Sequence, residues 1–471
     1  MVKDAPTRAL PISGTRPSLP LLRESNSQLL KSWCGDCGHG MTAGTRKMKP
    51  GCEKLHVGII GGGIAGLALG IGLNYRDVSF TIYEAAPGLN AIGAGISLGP
   101  NTTRAMALID PALREGYEKI AMKNQSPEKQ HNFADILLAE PGFGAARGFH
   151  GAAVGSKDFV RSGAHRKDLL GMMKSLLPGN DCIKFGSKAI SVCQVGKKVQ
   201  VSFEDGQVAE FDAVVGCDGG KGITRQAVLE HRFPGQVQLT YSGRYVYRGV
   251  VPPGKVQEIL GKYADDSKIF IGQGRYFAAY PISGGGFNFL AGRQKDDEPW
   301  THAHSTREVS RQDMRNDFDG CDRRLLELLE WAKPLRWGLF HHLSTPTYTH
   351  GRIVLLGDVA HASTPHQGAG AGQCFEDALI LSHLLGQIRD DQEMPAALEV
   401  YDSICRPRAQ EIIRTSNDTG LLYTMTHPQC GDDVAKIVAS AKGRFQWIWT
   451  HDLQADLVKA TEDLDKLRKQ A

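Results

Sequence analysis

The sequence predicts an α/β protein in which a mainly parallel sheet with covering helices is interrupted by an inserted antiparallel sheet and followed by C-terminal helices. Three observations carry that prediction. An apolar run at Leu55–Ile60 enters a glycine cluster, Gly61–Gly66, and then a helix-like stretch. Two later apolar runs meet acidic residues at Asp218-Gly219 and Gly357-Asp358. Between those two pairs lie strand-like runs joined by glycine-rich turns.

The chain of 471 residues is long enough for two domains or one large discontinuous domain. Its hydrophobic content of 41% and charged content of 23% suit a folded core. The net charge of +4 is uneven: residues 1–55 hold nine Lys/Arg and four Asp/Glu, a net +5, which leaves about −1 for the rest. A near-neutral body carries no nucleic-acid footprint. No apolar run is long enough to span a membrane, and the N-terminus lacks the apolar core of a secretory signal. Residues 1–50 mix Pro, Ser, Gly and basic residues, the composition of a disordered extension. Asp4, Glu24 and Asp36 argue against a transit peptide, and Met48 offers a later start, so a mispredicted first exon stands beside a functional extension. Ten scattered cysteines suit a reducing, cytoplasmic setting. Cys34 and Cys37, with His39 and Cys52 nearby, lack the second paired cluster of a zinc site and read as accidental spacing.

Folding is expected to begin at Leu55. The run Leu55–Ile60 reads as a strand buried on both faces. Gly61-Gly62-Gly63-Ile64-Ala65-Gly66 follows, then a helix from Leu67 to Tyr75 and a strand from Val78 to Tyr83 ending in Glu84. Strand, GxGxxG, helix, strand and acid form a Rossmann-like dinucleotide unit. Gly61 permits the tight turn, Gly63 lets the backbone approach a pyrophosphate, and Gly66 allows close helix–strand packing. The helix N-terminus offers free N–H groups to the phosphates. Glu84 lies eighteen residues beyond Gly66, where a carboxylate holds a ribose diol.

A second glycine-rich return, Gly93-Ala94-Gly95-Ile96, precedes Pro100-Asn101 and an amphipathic helix near Thr102. A simple dehydrogenase has no need of it, whereas a cofactor with a bulky ring does, which points to flavin and makes Gly95 a candidate contact. Further on, Phe211–Gly216 reads as a strand leading to Cys217-Asp218-Gly219-Gly220, with Arg225 shortly after. Arg352–Asp358 repeats the pattern, followed by Ala360-His361-Ala362, Pro365 and the stretch Gly368–Gly372, which opens a helix from Gln373 to Leu385.

With these motifs in this order, residues 55 to 420 resemble the group A flavin monooxygenases of the p-hydroxybenzoate hydroxylase fold. They look most like fungal salicylate-hydroxylase-like and phenol-dearomatising enzymes. The resemblance implies FAD as cofactor and NAD(P)H as co-substrate, the latter without a Rossmann domain of its own, since only one GxGxxG is present. It implies that Asp358 bonds the ribityl chain and that Asp218 serves the pyrophosphate side and the NAD(P)H approach. Gly370 and Ala371 bring backbone to the ring, and the helix dipole behind them favours negative charge on the reduced flavin. Arg166, in His165-Arg166-Lys167-Asp168, matches the family's arginine beside the flavin, with Lys167 a surface charge. Structural roles are expected for His361 and His366, and Glu376 and Asp377 are expected to decorate the first turn of their helix. The family often has Ser after Asp-Gly, where this chain has Gly220-Lys221-Gly222.

The substrate layer is expected from strands at Arg244–Val251, Lys268–Gly272, Arg275–Ile282 and Gly286–Ala291, with a turn at Ser283–Gly286. Period two puts Arg244, Val246, Arg248 and Val250 on one face, Tyr245 and Tyr247 on the other, and groups Tyr276, Ala278 and Tyr280. By resemblance, Arg248 stabilises a phenolate and Tyr280 orients it, and the alternative for each is a brace within the sheet. The expected organisation is an extension at 1–54, an FAD-binding domain at 55–231 and 345–420, a substrate domain at 232–344 and a helical segment at 421–471. Leu325–Trp331 reads as a short helix, Arg406-Pro407-Arg408 resembles the basic turn of the family's late helix, and Leu453–Lys469 reads as a helix that packs on the body or makes a homodimer contact.

The resemblance implies hydroxylation of a phenolic small molecule with NAD(P)H and O2 through a flavin C4a-hydroperoxide, with dearomatisation or decarboxylation as variants. The alternatives are a flavin-dependent epoxidase on the same scaffold and a non-catalytic binding protein of the GDP-dissociation-inhibitor type. Gly357-Asp358 and the glycine loop speak against the last.

Overall fold

The computed structural model describes residues 55–89 and 95–470. The expectations placed on residues 1–54, including the Cys34/Cys37 spacing and the start at Met48, lie outside the described residues, as do Gly93 and Ala94.

The first strand, His56–Ile60, pairs in parallel with Ser79–Glu84 on one side and Ala213–Gly216 on the other. Flanked and covered on both faces, it has no polar side to show, which is why its sequence does not alternate. Ile353–Leu355 extends the sheet beyond Ala213–Gly216, and Ile183–Phe185 pairs with Ser79–Glu84 at the far side. The Asp218 and Asp358 motifs therefore leave the carboxyl ends of adjacent parallel strands, next to the glycine cluster on the third. In such sheets that end is where ligands bind.

Two helices start earlier than expected. The first runs Ile64–Tyr75, because the turn needs only Gly61 to Gly63. The later one runs Gly370–Gln387, so Gly370 to Gly372 form its first turn rather than a loop ahead of it. The reason at Gly372 is close packing: a Cβ there would lie 2.5 Å from Thr102 Oγ1.

The inserted sheet has eight strands, with Thr240–Val251, Phe287–Gln294, Arg275–Pro281 and Lys268–Gly272 antiparallel in that spatial order. Two further strands, Asn132–Leu138 and Ala152–Gly155, join it beyond Lys268–Gly272. They come from a stretch expected to lie within the first part of the cofactor-binding domain. Asn132–Leu138 pairs in parallel with Lys268–Gly272 across more than a hundred residues, a pairing no local pattern announces. The sheet buries both faces. Tyr245, Tyr247, Phe277 and Phe289 pack with Leu325, Leu328 and Leu329 of the helix Arg323–Leu329. Val246, Ile271 and Tyr276 pack on the other side with Ile412, Leu422 and Trp449. Each such side chain contributes about 1.5–3 kcal/mol of burial.

The helix Met394–Tyr423 runs through Pro407 without ending, so Arg406-Pro407-Arg408 is a basic turn inside a late helix, as expected. Arg406 pairs with Asp402, and Arg408 with the buried Glu376. The last helix, Leu453–Gln470, buries Leu453, Leu457, Ala460 and Leu464 in the core of the parallel sheet. Of the two expectations for this segment, packing on the body is the one observed. Among the described residues no helix is long and apolar enough to cross a membrane.

Candidate active site

The carboxyl end of the parallel sheet opens into a cavity of about 580 Å³, lined by Gly61, Gly63, Glu84, Arg166, Asp218, Asp358 and Ala371, among others. Gly61 takes φ +111°, and a Cβ there would fall 2.3 Å from the Cys217 carbonyl oxygen. Only glycine satisfies both conditions. Gly63 caps the helix Ile64–Tyr75, and a Cβ built on it meets nothing within 4 Å, so its backbone is open to the cavity. Gly66 is the opposite case. Its Cβ would lie 2.0 Å from the Gly61 carbonyl oxygen, so it holds the turn against the helix rather than touching the cavity.

Three carboxylates ring the opening, and each is held differently. Glu84 accepts the Gly62 amide at 2.7 Å and the Ala86 amide at 2.8 Å, which ties the glycine turn to the second strand. Asp218 accepts the Thr224 hydroxyl at 2.5 Å and its amide at 3.1 Å. Burial raises the Asp218 pKa, against the pull of those hydrogen bonds. Asp358 begins the short helix Asp358–His361 and is exposed to the cavity, with no side-chain hydrogen bond among the described residues. Bare backbone at Gly63, a helix N-terminus behind it and an unengaged carboxylate across from it fit a dinucleotide with phosphates at one end and a polyol chain at the other.

Buried polar groups brace this end of the sheet. Arg225 donates to the carbonyls of Val359, Ala360, Gln236 and Val237 and to Thr345 Oγ1. His361 Nε2 lies 2.5 Å from Asp377 Oδ2, and that carboxylate also takes the Gly357 amide and Gln373. Glu376 joins Asn101 at 2.7 Å and Arg408 at 2.6 Å. Glu376 and Asp377 are thus buried framework residues, not decoration of a first turn. His366 is also buried, beside Tyr276 and Tyr423, and neither of its ring nitrogens has a partner. Burial drives its pKa well below the ordinary value, so the ring is neutral.

Arg248 and Tyr280 do not line the main cavity. They lie on one face of the inserted sheet, and the charge of the cavity residue Arg166 reaches Arg248. Arg248 is half-buried, with its guanidinium 5.0 Å from the Trp337 ring centroid and no hydrogen bond among the described residues. Burial lowers its pKa. Tyr280 has its pKa raised by burial, opposed by Arg161 and Arg248. Arg161 was not singled out from the sequence. It is 1% exposed and stacks 4.6 Å over the Tyr280 ring. One basic residue five positions before Arg166 carries no signal of its own, because the contact comes from a distant strand. Gly95 also sits against this sheet: its amide donates to Asn288 Oδ1 at 3.2 Å, and a Cβ would lie 2.7 Å from Ile282. Gly370 opens its helix outside the cavity lining.

A family model described as an FAD binding domain matches residues 182–416. An FAD-dependent monooxygenase of Gibberella moniliformis is 38% identical over 428 residues, spanning 88% of this chain and 97% of that protein. A salicylate hydroxylase of Pseudomonas putida is 34% identical over 427 residues, spanning 88% and 96%. A 6-methylsalicylate 1-monooxygenase of Aspergillus terreus is 33% identical over 413 residues, spanning 85% and 90%. Among solved structures, a salicylate hydroxylase substrate complex aligns with a TM-score of 0.75 at 29% identity, over 86% of this chain and 98% of that one.

Proposed function

The chain belongs to the FAD-dependent monooxygenases, and from that membership we propose that it hydroxylates a phenolic small molecule with NAD(P)H as reductant and O2 as oxidant. The observation that supports the phenolic substrate is Arg248, a half-buried guanidinium with no hydrogen-bond acceptor among the described residues, on the same face of the inserted sheet as Tyr280. Bound FAD would supply electron acceptance from NAD(P)H and activation of oxygen.

In this reading Gly61 to Gly63 and the N-terminus of Ile64–Tyr75 receive the pyrophosphate, Glu84 the ribose, and Asp358 the ribityl hydroxyls. Asp218 stands on the pyrophosphate side, and Gly370, Ala371, Gly95 and Arg166 surround the ring. Arg248 holds the substrate's phenol oxygen in its deprotonated form. That charge feeds electron density to the ortho and para carbons and makes them nucleophilic. Tyr280 donates to the same oxygen and fixes the ring's orientation. Trp337 and the sheet keep water from the phenolate, which strengthens its pairing with the guanidinium.

The test is a panel of phenols and salicylates given to the purified yellow protein, scored by NAD(P)H oxidation and by mass spectrometry for the gain of one oxygen atom. Stimulated oxidation with an oxygenated product is expected for at least one member. A flavin-loaded protein that oxygenates none of them overturns the reading.

A further inference from the structure

The reaction uses two dinucleotides, and the chain has a single glycine-rich turn to hold them. That turn serves FAD in the reading above, so NAD(P)H must be held by residues of another kind. The mouth of the main cavity supplies them. Two lysines line that cavity, Lys188 and Lys221. Lys188 pairs with Glu204 at 2.7 Å. Lys221 is exposed and makes no ion pair among the described residues, and its ammonium donates only to the Ala303 carbonyl at 3.2 Å. Asp218, three residues earlier, does not neutralise it, because that carboxylate is turned back onto the Thr224 hydroxyl and amide. Gly222 makes room for this arrangement, since a Cβ there would lie 2.2 Å from Asp218 Cγ.

Lys221 leads from the cavity to a cluster of rings on the inserted sheet. Its Nζ lies 5.8 Å from the Phe340 ring centroid. Phe340 stands opposite Tyr241 on the neighbouring strand, and the Trp300 ring packs against both, at 6.0 and 5.5 Å between centroids. Gly338 admits the rings, because a Cβ there would come within 2.8 Å of Phe340 and 3.1 Å of Trp300. Trp300 Nε1 donates to the His304 carbonyl at 2.8 Å, which fixes the loop that carries Ala303. All three rings are only partly buried. Glu298, two residues before Trp300, is paired with Arg307 and Arg336 and leaves the ammonium unopposed. An unpaired ammonium beside half-open aromatic faces suits a ligand that carries phosphates and a flat base.

We propose that Lys221 and the Phe340–Trp300 rings form the docking site of NAD(P)H at the cavity mouth, Lys221 taking the pyrophosphate and the rings the adenine. The nicotinamide end is thereby aimed into the cavity that holds FAD. This rests on the monooxygenase reading of the site and names the residues that hold its reductant.

The test uses FAD-loaded full-length protein. ADP-ribose keeps the pyrophosphate and adenine but cannot reduce flavin, and its binding is read by calorimetry. NADH, NADPH and N-benzyl dihydronicotinamide, a reductant with neither phosphate nor adenine, are compared by anaerobic stopped-flow reduction of the flavin. In Lys221→Met the dissociation constants of ADP-ribose and of the dinucleotides should rise about ten- to a hundredfold, the range of one charge-assisted pair. Reduction by the benzyl compound and the FAD content should stay unchanged. Lys221→Arg should retain most of the affinity, because phosphate accepts either cation. Phe340→Leu, which keeps apolar bulk without a ring, should weaken ADP-ribose binding about five- to a hundredfold, the worth of stacking one base. A wild type that does not bind ADP-ribose overturns the proposal, as do unchanged affinities in Lys221→Met. Loss of FAD from that variant, or equal impairment with the benzyl compound, also overturns it and places Lys221 on FAD or in the cavity frame. ADP-ribose binding needs no phenol, so the underlying reading fails separately, if the wild type oxygenates no phenol of the panel.

Discussion

The ring of His361 and the carboxylate of Asp377 meet at 2.5 Å with both side chains almost wholly buried, 2% and 0% exposed. The pair joins the short helix that begins with Asp358 to the helix that begins at Gly370. Asp377 extends the link by accepting the Gly357 amide at 3.3 Å. Burial alone would depress the His361 ring, but the charge and hydrogen bond of Asp377 outweigh it and raise its pKa above 6.5.

Removing one side of this pair leaves the other charge uncompensated. His361→Gln should cost about 3–5 kcal/mol of stability. Because the folded-state pKa of His361 is raised, its contribution is complete below the unfolded value of 6.5 and fades as pH climbs through the folded value. Chemical denaturation of wild type and variant across pH 5.5–9 (about the range in which histidine titrates) checks this. The stability gap should be widest at the acid end, and a gap that widens with pH would contradict the assignment.

Asp358 and Glu84 should separate cofactor affinity from folding. Asp358→Ala removes a cavity carboxylate that bonds no described residue, so it should lower FAD affinity with little change in apoprotein stability. The expected loss is about 1.5–3 kcal/mol, the worth of one charge-assisted hydrogen bond. Glu84→Ala also strands the Gly62 and Ala86 amides, so it should lower both. Flavin content after dialysis and melting of the apoprotein are the measurements, and full flavin retention in both variants would misplace the cofactor.

The glycines of the turn should divide in the same way. Gly63→Ala puts its methyl into open space, so the protein should fold and bind FAD more weakly. Gly66→Ala drives a methyl to within 2.0 Å of the Gly61 carbonyl, so the turn cannot close and soluble protein should be lost. Equal solubility of the two variants would show that the turn yields more than this packing allows.

Arg248→Ala should impair oxygen transfer far more than flavin binding. Losing a preorganised charge beside shifting charge costs ~2.7–4 kcal/mol, about a hundred- to a thousandfold in rate. NAD(P)H oxidation should continue with release of hydrogen peroxide. Arg248→Lys should recover little, since a point charge on a flexible stem does not reproduce the planar fork. The ratio of oxygenated product to peroxide at equal FAD loading is the readout, and an unchanged ratio in Arg248→Ala would leave the residue a brace.

What was legible beforehand lay in local pattern. Leu55 to Glu84 could be read as strand, turn, helix and strand because each feature depends on neighbours a few residues away. The alternation Arg244, Val246, Arg248 against Tyr245, Tyr247 sorted the two sheet faces for the same reason, since successive side chains of a strand point in opposite directions. Strand ends were less legible, as at Thr240, where pairing with Leu335–His341 prolongs the strand four residues before Arg244.

By itself, then, the sequence determined the parallel-sheet cofactor unit, the inserted sheet and which side chains share a face, because backbone geometry imposes those periods on any chain that adopts them. Only the tertiary structure decided which distant groups meet. It brought Arg161 onto Tyr280, closed His361 on Asp377, set Glu376 against Arg408, and drew Asn132–Leu138 into the inserted sheet. Those partners come from separate elements and leave no period in the sequence. Their selection rests on the burial of polar groups, which must find acceptors or donors wherever the packed chain supplies them.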